Sequence, residues 1–180
     1  MFENLNLQRF CDTQGEKRSI DPDAVKRAER DLLYKIPAAY LDLISVKDGD
    51  NIWRKFDHWF LRMTGFLSLN ELVKQKEDFS EWGFPDIGIY FSWTESGGHE
   101  ALLLNYHEIR KNNEPSVWLL DQELETGTLI ADTFEEFIER IIKVQGYPDE
   151  DSDDSDDSGE AYATEEGNPE QKEFADWINK

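Results

Sequence analysis

Two apolar runs constrain this chain more than any other feature. Ala101-Leu102-Leu103-Leu104 and Val117-Trp118-Leu119-Leu120 are uninterrupted by charge. A strand covered on one face alternates apolar and polar residues, whereas one covered on both faces does not. The two runs are therefore read as central strands of a sheet. Gly97-Gly98 gives a tight turn into the first, and Asn112-Asn113-Glu114-Pro115 joins them as a hairpin or loop. Ile87 to Phe91 is a further strand, bounded by Pro85 and by the Ser96-Gly97-Gly98 turn.

Helical spacing surrounds these strands. Thr133-Phe134-Glu135-Glu136 is a capping-box sequence, in which hydroxyl and carboxylate satisfy each other's free amides. Phe134, Phe137, Ile138, Ile141 and Ile142 then share one face, and Gly146 and Pro148 close the helix, which should pack on the sheet. Upstream, Asp21-Pro22 is an N-cap acid followed by proline at the first helical position; Val25, Ala28 and Leu32 line one face, with Leu33 beside it. Pro37 opens a second helix carrying Tyr40, Leu41 and Ile44, and Asp48-Gly49-Asp50 ends it as a turn. Residues 51–65 mix aromatics and charges, as in a strand or a partly exposed loop. Phe66-Leu67 begins a short strand, and Ser68 to Phe79 is helical with Leu69, Leu72, Val73 and Phe79 inward. Residues 1–20 specify no element.

Charge divides the chain. The net charge is -21, and residues 147–180 carry 13 acidic and 2 basic residues, or -11, leaving -10 for residues 1–146. Hydrophobic residues make up 38% but aromatics 13%, which fits an aromatic-rich core attached to a very polar remainder. The run from Asp149 to Glu160 holds no apolar residue, offsets none of the entropy of ordering, and is read as disordered. The domain is thus drawn as residues 1–146 and the acidic tail as 147–180. In that tail Phe174, Trp177 and Ile178 stand at helical spacing. They are read as a frayed end whose Trp177 covers a surface groove, with a short docked amphipathic helix as the alternative. Acidity throughout makes direct nucleic-acid binding repulsive and favours a partner with a basic surface. The lone Cys11 excludes an internal disulfide, and neither a signal peptide nor a spanning stretch is evident, so a cytoplasmic protein with no membrane association is expected.

No catalytic constellation emerges. His58, His99 and His107 lack the spacing of a zinc motif, and Gly97-Gly98 leads into a strand where a phosphate loop needs a helix. Glu95 and Glu100 flank a turn in a chain full of carboxylates, which is weak grounds for acid–base chemistry. His99 is read as an imidazole bonded to a turn carbonyl. No catalytic residue, metal ligand or cofactor is assigned, and no enzyme activity is expected. Trp118 is read as core. Trp93 is open between core and surface, and Trp53 and Trp59 would be hot-spot candidates if exposed.

In order, these motifs resemble one family. Gly98-His99-Glu100 with Leu104-Asn105-Tyr106, Asp121-Gln122-Glu123, and Ala131-Asp132-Thr133-Phe134-Glu135-Glu136-Phe137-Ile138 look like the SUKH superfamily, the Smi/Knr-like domain of bacterial immunity proteins. Looser matches are Glu29, Ile36-Pro37, Tyr40 and Asp48-Gly49-Asp50; Asn105 stands where aspartate is usual. The resemblance implies an α+β fold, a curved mostly antiparallel sheet with helices packed around it. It further implies an immunity protein, or antitoxin, that neutralises a cognate polymorphic or contact-dependent toxin, such as a nuclease or another basic protein targeting nucleic acid. The alternative is a non-enzymatic scaffold or regulatory protein of the Smi/Knr type. Charge and loop position give Asp48, Asp50, Trp53, Trp59, Glu95, Glu100 and Asp121 as the candidate partner surface.

Overall fold

A computed structural model describes residues 19–46, 56–58, 61–63, 65–94, 96–145 and 170–179. Helix α1, Pro22–Leu32, begins where Asp21 accepts the Asp23 amide at 3.0 Å, and it buries Ala28 and Leu32. Leu33 does not extend its apolar face: it ends the helix in a left-handed conformation (φ 68°) and is 77% exposed. Glu29 then organises the connection to α2, Ala38–Val46, by accepting the Ile36 amide at 3.1 Å and pairing with Lys35 at 2.7 Å. On α2, Tyr40 is buried and donates its hydroxyl to the Leu67 carbonyl at 2.6 Å; burial holds that phenol well above its usual pKa.

Phe66 and Leu67 are buried, but they do not form the strand expected of them. Leu67 is fixed by single bonds, its amide to the Phe91 carbonyl and its carbonyl to Tyr40, so no ladder develops. Preceding them is a small hairpin, β1 (Phe56–His58) with β2 (Leu61–Met63). Helix α3, Leu69–Glu81, opens on a complete capping box between Ser68 and Glu71.

The main sheet contains β3 (Gly88–Trp93), β4 (Glu100–Lys111), β5 (Glu114–Asp121), β6 (Thr126–Ala131) and β7 (Gln171–Glu173), side by side in that order and antiparallel throughout. Both apolar runs are central, and Ala101 through Asn105 are buried consecutively, so layers cover both faces. The hairpin between β4 and β5 needs only Asn112 and Asn113, both with positive φ (55° and 58°), as a two-residue turn matched to strand twist requires. Glu114 and Pro115 already belong to β5.

Register places Tyr90, Leu103, Trp118 and Leu129 in one row on one face. Phe79 of α3 stacks on Tyr90 at 4.5 Å between centroids. A second ring cluster joins Tyr40 and Phe66 to Phe91, the bulged residue of β3, and to Phe134 and Phe137 of helix α4, Phe134–Gln145. Thr133 caps α4 by accepting the Glu136 amide at 3.2 Å, but the reciprocal half of the expected box is diverted: the Glu136 carboxylate pairs with Lys111.

The chain's end departs from the domain drawn at residue 146. Residues 170–179 are not a frayed end. Strand β7 pairs with β6 in the register Thr126↔Glu173, Gly127↔Lys172 and Thr128↔Gln171, and a short helix α5, Ala175–Ile178, follows. Phe174 and Trp177 enter the core, Trp177 with 0% exposure. The acidic run from Asp149 to Glu160 lies outside the described residues.

Candidate partner-binding surface

Antiparallel pairing collects the ends of five strands and their turns at one end of the sheet. A single row crosses it there: Thr94 bonds to Glu100, Glu100 pairs with Asp121, Asp121 with Thr126, and Thr126 with Glu173. Cross-strand partners point to the same side, so Glu100 and Asp121 present two carboxylates next to each other, an arrangement that disfavours pairing. Each is held in place by a neighbour. Glu100 accepts the Thr94 hydroxyl at 2.8 Å, and Asp121 accepts the Leu124 amide at 3.0 Å, closing the β5–β6 turn.

That turn, Gln122 to Glu125, projects beyond the row. The Gln122 amide donates to the His99 carbonyl at 2.8 Å, tying it to the β3–β4 turn, where Gly97 and Gly98 adopt positive φ (78° and 102°). The His99 imidazole differs from expectation. It is exposed and lies 3.0 Å from a Glu123 carboxylate oxygen rather than on a turn carbonyl, and the backbone carbonyl of His99 accepts the Gln122 amide. Glu125 has φ 52°, a left-handed conformation that costs a residue with a side chain about 1–2 kcal/mol.

Apolar side chains punctuate this acidic end. Leu124 is 70% exposed between Glu123 and Glu125, and Trp82, which ends α3, is 46% exposed. The Gln122 side chain lies over Gly83, where an added β-carbon would sit 3.4 Å from the Gln122 amide nitrogen, so Trp82 borders the same turn. Neither Trp82 nor Leu124 stands out in the sequence. Each is a lone apolar residue among polar ones, and only the fold brings the chain at Gly83, next to Trp82, against the turn that carries Leu124.

Of the residues expected at the partner surface, Glu100 and Asp121 meet as cross-strand partners. Asp48, Asp50, Trp53, Trp59 and Glu95 lie outside the described residues. Trp118 is fully buried, as expected. Among the described residues no lysine or arginine is ion-paired with Glu100, Asp121, Glu123 or Glu125. Also among them, no group of three His, Cys, Asp or Glu residues is arranged to hold a metal ion, and no helix is long and apolar enough to cross a membrane.

The motif residues do structural work. Glu29 and Tyr40 bond backbone groups as described, Asn105 accepts the His107 amide at 2.9 Å, and Tyr106 donates to the Lys35 carbonyl while stacking on Tyr34 at 4.7 Å. Burial pushes the Tyr106 phenol well above its usual pKa. Residues 19–140 match the model of the SMI1 / KNR4 family (SUKH-1), and the chain belongs to that family. No curated protein matches it.

Proposed function

We propose that this member of the SUKH-1 family is an immunity protein: a stoichiometric, non-catalytic inhibitor that binds a cognate toxin through the acidic turn end of its sheet. The observation that carries this reading is the acidic turn end, where Glu100 faces Asp121, Glu123 and Glu125 flank exposed Leu124 in the adjoining turn, and the Gln122 side chain of that turn lies over Gly83, next to exposed Trp82, with no lysine or arginine paired to those acids among the described residues. A protein that handles nucleic acid needs a basic face to hold phosphates. A carboxylate rim complements such a face, accelerates encounter and sets register, while a central aromatic supplies most of the binding energy. Trp82 is the anchor in this reading, Leu124 a secondary apolar contact, and a nuclease or similar nucleic-acid-targeting toxin the partner. The same rim repels nucleic acid itself.

The test is capture of partners from the native cell with the full chain as bait, followed by titration of any partner found. One basic protein, bound at nanomolar affinity and silenced at a one-to-one ratio, is the expected result. Several micromolar partners with no inhibited activity would replace this reading with that of a regulatory scaffold.

A further inference from the structure

The C-terminal segment occupies a pocket that the rest of the domain has built for it. Gly127 of β6 makes the space: a β-carbon there would come within 2.5 Å of the Trp177 ring and 2.7 Å of Leu120. The Trp177 indole meets Trp118 edge to face at 4.9 Å, and the Trp118 ring is flanked by Arg110 and Lys172 at 5.7 and 5.5 Å. The edges of the pocket are polar and specific. Arg110 pairs with Glu170 at 2.7 Å, Lys172 with Glu108 at 2.6 Å, and the His107 ring nitrogen lies 3.3 Å from the Trp177 carbonyl.

Three features mark the segment as separable from the domain it docks on. It lies beyond the family-matched residues 19–140, and 24 residues, 146 to 169, separate it from α4. Its attachment is short: three register pairs, flanked by the bonds Leu129 amide to Glu170 carbonyl and Phe174 amide to Glu125 carbonyl, and two buried anchors. Finally, the fit is incomplete, because the Trp177 indole nitrogen is a buried donor with no acceptor among the described residues.

We propose that residues 170–179 are a resident peptide ligand, docked in a tryptophan pocket formed by Gly127, Trp118 and Leu120, and that this pocket binds an acidic strand-and-turn peptide of the form Phe-x-x-Trp supplied in trans. In the intact chain the tether keeps the segment at high local concentration and closes the β6 edge. Occupancy is felt at the acidic end, since Phe174 holds the Glu125 carbonyl and β7 adds Glu173 to the row. Exchange at this pocket is independent of the identity of any toxin.

The experiment introduces a protease site between Ser158 and Gly159 of the full chain and cuts the folded protein. A fluorescein-labelled peptide of residues 168–180 is then added, and its anisotropy is followed. Saturable binding to the cut chain is expected, with binding to the uncut chain roughly tenfold weaker or less, because the tethered copy competes. A Trp177→Ala peptide should lose about tenfold or more, and a cut Gly127→Val chain should bind the wild-type peptide poorly. Three results would each overturn the proposal: no exchange with the labelled peptide, loss of near-ultraviolet circular dichroism when the fragment leaves, or equal binding of the Trp177→Ala peptide. The peptide variant keeps the test valid even if Gly127→Val fails to fold.

Discussion

The two ends of the main sheet treat charge in opposite ways. At the end of β4 beside the Asn112-Asn113 hairpin, cations meet carboxylates: Arg110 pairs with Glu170, Lys111 with Glu136, and Lys172 with both Glu108 and Glu170. Hydrogen bonding to Arg110 holds the Glu170 carboxyl below its usual pKa, and hydrogen bonding to Glu108 holds Lys172 above its own, as mutual stabilisation requires. At the turn end, Glu100, Asp121 and Glu123 are held by a hydroxyl, a backbone amide and an imidazole. Those contacts fix the geometry of the acids without pairing them to a lysine or arginine among the described residues. The paired end uses its charge to attach the C-terminal segment; the acids of the turn end have no lysine or arginine partner among the described residues. In an acidic chain, total charge bears only on the sign of a partner's surface, and the proposed location rests on where acids lack bases among the described residues.

This contrast is most vulnerable at Trp177. Removing a fully buried tryptophan side chain typically costs about 3–5 kcal/mol, and Trp177→Ala should lower unfolding stability by about 3 kcal/mol in a denaturant titration. Where the segment releases and the remaining core persists, as proposed above, the loss cannot exceed the free energy of docking. A loss under about 1 kcal/mol would mean that the paired end contributes little, and the contrast with the turn end would collapse. The second probe is charge reversal at the turn end. Glu123→Lys with Glu125→Lys should leave stability within about 0.5 kcal/mol yet slow association with a basic partner by roughly tenfold at low salt, with the difference shrinking as salt rises. Arg110→Glu, at the paired end, should do the reverse: stability falls and the association rate holds. Equal effects of both changes on association would show that net charge, rather than the turn end, guides the encounter.

What the sequence makes legible follows from how local each signal is. Asp21-Pro22 and Thr133 start helices by bonding within their own turn, and the unbroken apolar runs report burial on both faces without reference to partners. Strand β6 escapes such reading because Thr126, Thr128, Leu129 and Ile130 are only half buried and Gly127 interrupts them. Strand β7 is illegible for a stronger reason. Gln171-Lys172-Glu173 has no apolar side chain, and it becomes a strand only because β6 offers an edge and Trp177 anchors the next turn. The family motif is legible as a pattern, but its meaning is not: no spacing argument shows that Glu29, Tyr40, Asn105 and Tyr106 bond backbone groups, two of them far along the chain. Since those residues support the fold, they mark the family and say little about the partner. The residues that would choose a partner, Trp82 and Leu124, carry no pattern at all.

The finest probe is Glu125, where the two ends touch through the Phe174 amide. Its left-handed backbone is unfavourable for any residue with a β-carbon, and glycine removes that penalty at the cost of greater freedom in the unfolded chain. The two effects leave Glu125→Gly more stable than the natural chain by about 0.5–1 kcal/mol, a rise of a few degrees in Tm. If the carboxylate serves a partner, the same change should slow association slightly, so stability and binding move in opposite directions. Glu125→Asn separates the causes, because asparagine tolerates the left-handed conformation and removes only the charge. A stability gain with glycine and slower association with both variants would place Glu125 among residues kept for recognition at the expense of the fold. Lower stability with glycine would instead make the glutamate side chain itself a support of the turn, and the acidic end would then be structural in the same sense as the paired end.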